Sequence, residues 1–104
     1  MSVGLLIIFK GHRDELIPVA TEDIFLHFWQ PGIDVLGLKY FVNGISHQPQ
    51  DILSILADLL HLRDWFQKIK SHEVRFYCIN RLDNLVSTLE KLNTDKELVE
   101  IFIG

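Results

Sequence analysis

VGLLIIF, Val3 to Phe9, is an almost unbroken apolar run. A half-exposed strand alternates apolar with polar residues, so a run without alternation predicts a central strand covered on both faces. It is too short to span a membrane, and it lacks the basic region before it and the small-residue cleavage site after it that a secretory signal needs. Lys10, Gly11 and His12 end the run, and Pro18 argues against a long helix over residues 13–20.

Thr21 followed by Glu22 and Asp23 reads as a helix start: the threonine oxygen accepts from free amides, and acids in the first turn face the positive end of the helix. The helix holds Ile24, Phe25, Phe28 and Trp29 and is interrupted at Gln30-Pro31-Gly32. The aromatic content of IFLHFW also fits a strand turning at Pro31-Gly32, but the helix is the preferred reading. Ile33 to Leu36 adds a turn, ended by Gly37 as a positive-φ residue. LKYFV, Leu38 to Val42, reads as a second strand, and Asn43-Gly44 as a turn leading to a short return strand at Ile45 to His47.

Pro49 and Asp51 open the clearest helix, running to about Lys70, with Ile52, Ile55, Leu56, Leu59, Leu62, Phe66 and Ile69 on one face. EVRFYCI, Glu73 to Ile79, alternates well enough for a third strand. Asn80 then caps a third helix whose inward stripe is Leu82, Leu85, Val86, Leu89 and Leu92. ELVEIFI, Glu97 to Ile103, is the fourth strand. Strands alternating with helices predict an α/β or α+β fold: a single domain over residues 1–104, with a mixed sheet of about four strands packed with about three helices.

Length and composition agree with one core. The 104 residues are 48% hydrophobic and 23% charged, which excludes a disordered tail and a collagen-like repeat. Ten Lys and Arg against 14 Asp and Glu give a formal charge of −4, the wrong sign for gripping a nucleic-acid backbone. Cys78 is the only cysteine, so no internal disulfide forms and the expected compartment is the cytoplasm. A mean hydropathy of +0.19 points to some apolar surface covered by a partner.

No motif specifies a reaction. His12-Arg13-Asp14 spells the kinase catalytic tripeptide, but Val19 stands where the asparagine belongs. His12, His27, His47, His61 and His72 lack the spacing that pairs ligands on one helix face, so neither a metal nor a cofactor is expected. Arg75 and Tyr77 on the third strand suggest a stacking platform for RNA, against which the charge weighs; cross-strand packing is the simpler reading.

The remaining feature is an acidic stretch. From Asp14 to Leu38 there are five carboxylates, Asp14, Glu15, Glu22, Asp23 and Asp34, and no Lys or Arg, with Phe25, Phe28, Trp29 and Pro31 interleaved. Aromatic anchors combined with charges complementary to a partner are the makings of a protein interface. The plain alternative is a surface helix whose acids are hydrated and whose aromatics fill the core.

The short acidic format and the segment TEDIFLHFWQPGIDVLGLKYF, Thr21 to Phe41, resemble small cytoplasmic immunity proteins of bacterial toxin–immunity pairs, including those of contact-dependent growth inhibition. The resemblance implies a non-enzymatic protein that binds one cognate toxin, often a basic nuclease, with no nucleic acid or membrane of its own. Asp14, Glu15, Glu22, Asp23 and Asp34 would then be toxin-facing charges and Trp29 an anchor, with Asp95, Glu97 and Glu100 as a second acidic group. A small enzyme or ligand-binding domain using histidines and Cys78 is the alternative. A homo-oligomer joined through Leu53, Leu60 and Trp65 of the long helix is the third reading.

Overall fold

The structure, a computed structural model, describes residues 2–11 and 14–104; His12 and Arg13 of the kinase-like tripeptide lie outside the described residues. Four strands, β1 (Ser2–Phe9), β2 (Asp14–Thr21), β3 (Ile45–His47) and β4 (Leu98–Ile103), form one sheet in the order β2-β1-β4-β3. Every pairing is antiparallel, so the expected mixed sheet is corrected while the four strands and three helices of an α+β domain stand. Each strand reaches its neighbour by a reversal or across a pair of helices, and no parallel crossover arises.

The helices are α1 over residues 22–36, α2 (Ile52–Phe66) and α3 (His72–Leu92), and they cover one face of the sheet. Val3, Leu5, Ile7 and Phe9 of β1 point into them with Ile101 and Ile103 of β4, all buried. On the other face Leu6 and Ile8 are only half-buried. The expectation that β1 is covered on both faces is therefore corrected: its second row of apolar side chains meets solvent and neighbouring strands instead of a second helical layer.

Residues 14–21, where Pro18 argues against a long helix and the sequence reading assigned no element, are β2. Pro18 is tolerated because β2 is an edge strand, and a register shift between Val3 and Gly4 lies opposite it. Gly4 has no room for a side chain, since a Cβ there would stand 2.8 Å from Leu16 Cδ1.

The Oγ1 of Thr21 accepts from the Ile24 amide and starts α1 as the sequence predicts. The interruption expected at Pro31 is absent. Instead Phe25–Trp29 widen into π-helical turns, with the Gln30 N–H donating to the Phe25 carbonyl, and the helix continues as Gln30–Leu36. Pro31 has no N–H to donate, and the wide turn lets the helix pass it without breaking. Gly32 allows a close approach to α2: a Cβ there would lie 2.7 Å from Trp65 Cδ1 and 2.9 Å from Leu62 Cδ2. Gly37 ends the helix at φ 65°, with the Leu38 N–H donating back to the Ile33 carbonyl over 3.0 Å.

Leu38 to Val42 is not a strand. The Tyr40 and Phe41 amides donate to Oδ2 of Asp58 on α2, at 2.8 and 3.0 Å, and so are withdrawn from any sheet. Phe41 is thereby held as a plug in an aromatic cluster with Trp29, Phe25 and Phe66, where the Trp29–Phe66 ring centroids are 4.8 Å apart. His47 braces the same loop, with Nε2 2.6 Å from the Tyr40 carbonyl oxygen and Nδ1 3.5 Å from Asp51.

Pro49 opens a 3-10 turn into α2, which ends at Phe66 rather than Lys70. Glu73 to Ile79 is the first part of α3, not a strand, and Asn80 lies mid-helix. Ser71 is the true cap, its Oγ accepting from the Val74 amide. Val74, Cys78, Leu82, Leu85, Leu89 and Leu92 then run as one helical stripe, and the alternation of Val74, Phe76 and Cys78 is incidental because Phe76 is exposed.

Asp58→Ala leaves two loop amides without their acceptor and is expected to lower stability by about 1–3 kcal/mol, seen as a lower urea midpoint at unchanged slope. Asp58→Asn, which keeps one carbonyl oxygen, is expected to cost less. Gly32→Ala, which must displace Trp65 and Leu62, is expected to cost about 1–3 kcal/mol in the same measurement.

Candidate functional site

The register of the sheet decides which charged side chains meet. Residues directly paired across strands share a face, so Leu16, Leu6 and Phe102 form one row, and Asp14, Ile8 and Glu100 the next, all on the face the helices leave open. Pro18 opposite Gly4 continues it. The result is one sheet face on which Gly4, Leu6 and Ile8 of β1 lie between Pro18, Leu16 and Asp14 of β2 and Phe102 and Glu100 of β4, with the Leu16 side chain lying over Gly4. The β2 and β4 backbones are two strand spacings apart, about 10 Å.

Leu16 is 68% exposed, a high value for a leucine on a strand, and Phe102 is half-buried. Asp14 and Glu100 stand on either side of Ile8 at one end. None of the four strands contains a Lys or Arg, so no cation within the sheet neutralises this pair. The middle of the face is apolar and the end is negative.

The acidic stretch read from the sequence does not form one patch. Asp14 and Glu15 begin β2 and point to opposite faces, since Glu15 pairs with buried Ile7. Glu22 and Asp23 lie past the far end of the strand, about 23 Å from Asp14 at the usual rise per residue. Asp34 is a further 17 Å or so along α1 and accepts from Gln30 Nε2 at 2.9 Å. Glu100, from the second acidic group, is the carboxylate that joins Asp14. Asp95 is occupied in a turn, its Oδ1 accepting from the Glu97 amide.

Trp29 as a surface anchor is corrected. It is completely buried on the inward face of α1 with Phe25 and Ile33, so the aromatics of this segment are core. Sequence reading passed over exposed Leu16 and half-buried Leu6 and Phe102, as it did exposed Leu26 and Val35. For Leu6 the missing alternation of VGLLIIF was the signal.

Cys78 is also buried, on α3 beside Trp29. Burial pushes its thiol up to about 11, with the Trp29 indole N–H, which has no hydrogen bond of ordinary geometry, offsetting part of the rise. A thiol so placed is a poor nucleophile at neutral pH. Of three surface grooves, one holds His72, one His27 and one no histidine, and none is lined by Cys78. Among the described residues no group of three or more His, Cys, Asp or Glu is arranged to hold a metal ion.

Arg75 and Tyr77 form no stacking platform. Both are on α3, where Arg75 donates to the Ile69 carbonyl at 2.8 Å and Arg81 lies over the Tyr77 ring. On α2, Leu53 and Leu60 are exposed two turns apart, while Trp65 packs inward and donates to the Phe28 carbonyl at 3.3 Å. No helix among the described residues is long and apolar enough to cross a membrane. Comparison of the chain with protein-family models, curated proteins and solved structures finds no match.

The raised thiol makes a prediction about pH. Above pH 9 the thiol of the unfolded chain loses its proton while that of the folded chain keeps it until about 11, so stability falls as pH rises between the two. The difference in unfolding free energy between wild type and Cys78→Ala is expected to narrow across pH 9–11. A thiol reagent at pH 8 is expected to react with the native chain only as fast as it opens, and at once in urea.

Proposed function

We propose that this protein is a toxin-neutralising immunity protein of the cytoplasm, which binds a basic, nuclease-like toxin through the open face of its sheet. The observation that carries the reading is this sheet face: exposed Leu16 and half-buried Leu6 and Phe102 beside Asp14 and Glu100, with no Lys or Arg on the strands. Apolar anchors supply most of the affinity in a protein interface, and carboxylates beside them favour a basic partner and speed encounter with it. The net charge of −4 favours the same partner. Carboxylates presented on a rigid sheet stand in for the phosphates that a nuclease grips.

The exposed leucines of α2 support the homo-oligomer less well, because they are two separate side chains on a convex helix. A small enzyme built on Cys78 is disfavoured by the burial of its sulfur.

The test is neutralisation of a candidate basic nuclease toxin, with variants chosen to leave the fold intact. Leu16→Lys is expected to weaken inhibition by about tenfold or more, as loss of a central anchor does. Asp14→Asn with Glu100→Gln is expected to weaken it at low salt and to flatten its salt dependence. Glu22→Ala, Asp23→Ala and Asp34→Ala together are expected to change little. If Leu16→Lys neutralises normally and the triple variant does not, the binding face is the acidic helix.

A further inference from the structure

Resting on the reading that the partner is basic, we infer that an extended segment of that partner adds a further strand to the sheet along the free edge of β2, with basic residues opposite Asp14 and Glu15 and an apolar residue opposite Leu16. Hydrogen-bond parity identifies the edge. Gly4 and Gly104 exchange both of their backbone bonds, at 2.9 and 3.4 Å, so Gly4, Leu6 and Ile8 turn toward β4 while Leu5 and Ile7 turn toward β2. Leu5 pairs with Ile17 and Ile7 with Glu15, which leaves the N–H and C=O groups of Asp14 and Leu16 pointing away from the sheet. No described residue bonds to the outward groups of Leu16.

Pro18 is the next outward residue and closes the opening, because it has no N–H and its carbonyl accepts from Arg81 over 3.5 Å. The opposite edge of the sheet offers less: Ile45 and His47 of β3 are turned inward to Ile103 and Ile101, so Ser46 alone points out. Unpaired groups in a row are a template for another strand, which gains affinity from main-chain bonds and specificity from alternate side chains.

The side chains of this edge choose the occupant. A second copy fits poorly, since two β2 edges meeting at Leu16 would set Asp14 opposite Pro18 of the other copy, which has no N–H to give and a carbonyl already in use. Both carboxylates of each copy would also lack a cation. Asp14 and Glu15 project to opposite faces of the sheet, and consecutive side chains of an added strand do the same, so two adjacent basic residues meet one carboxylate each. An acidic segment is repelled at both positions. The Leu16 side chain lies over Gly4 yet stays exposed, and an apolar residue on the added strand covers its outer flank.

The experiment uses the full chain and amidated peptides of about nine residues, the length of an ordinary strand. The parent has a central Val, two Lys on each side and Thr at the ends, so either strand direction presents the same pattern. A second peptide has Glu in place of Lys. A third carries an N-methyl group on the central Val, whose N–H faces Leu16, and a fourth carries it on the next Lys, whose N–H points away. Binding is followed by amide shifts and hydrogen exchange of the labelled protein, and its oligomeric state by light scattering. The parent is expected to shift the Asp14, Glu15 and Leu16 amides and to slow exchange at Leu16. The Glu peptide and the Val-methylated peptide are expected to bind about tenfold or more weaker, and the Lys-methylated peptide to match the parent. Leu16→Pro, which deletes the outward N–H as Pro18 does, is expected to weaken parent binding further than Leu16→Ala, which keeps it.

Equal binding of the parent and the Val-methylated peptide overturns strand addition, as do shifts centred away from β2. A dimer of the free chain that Leu16→Pro dissociates overturns it by making a second copy the occupant. If methylation of Val is without effect while Leu16→Lys abolishes toxin neutralisation, the sheet face stands and the added strand does not. If the peptides behave as stated while neutralisation ignores Leu16→Lys, the edge site stands and the immunity reading falls.

Discussion

The arrangement depends on the pairing of β1 along both of its edges. Antiparallel ladders to β2 and β4 fix which of its side chains point to the helices and which to solvent, and a slip of one residue would exchange the two sets. Leu5 and Ile7 would then leave the core, and Leu6 and Ile8 would enter it. Burial of the first set against three helices makes the register cooperative with the whole hydrophobic cluster. The same register sets which side chains share the open sheet face, so stability and surface are set by one constraint.

The aromatic cluster fixes the other layer. Trp29 with Phe25, Phe41 and Phe66 ties α1, the loop after it and α2 into one packed body. Two small features make this geometry reachable: the wide turn that carries α1 past Pro31, and the missing side chain of Gly32 that lets Trp65 close against it. Asp58 completes the arrangement by accepting both loop amides, which turns a segment of strand-like composition into an anchored plug. These contacts belong to the scaffold. They place the most aromatic stretch of the chain inside, on the helical side of the sheet.

The acidic character of the protein therefore has two origins. Glu22 and Asp23 sit in the first turn of α1, where negative charge favours the positive end of the helix, and need no partner to explain them. Asp14 and Glu100 lie on separate strands with no such local role, 86 residues apart in the chain, and converge on one side of the sheet. Charge that is dispersed along a sequence and gathered by folding is better evidence of a surface with a task than charge that is merely dense.

Local signals determined much of the architecture from the sequence. The apolar runs of β1 and β4, the caps at Thr21 and Pro49, Gly37 as a helix end, the Asn43-Gly44 turn and the 3.6-residue stripe of α2 are all readable because each is decided by neighbours within a turn or two. The errors lie where distant partners decide. Glu73 to Ile79 alternates like a strand but helps complete an inward stripe that extends to Leu92, residues 14–21 form a strand because an edge tolerates Pro18, and Leu38 to Val42 loses its ladder to Asp58 on another helix. The site was the least legible part. Sequence spacing shows which carboxylates are close along the chain, but only the register across three strands sets Asp14 and Glu100 on one face, either side of Ile8, with Leu16 exposed on the same face, because that arrangement is made in space by residues that no local rule relates.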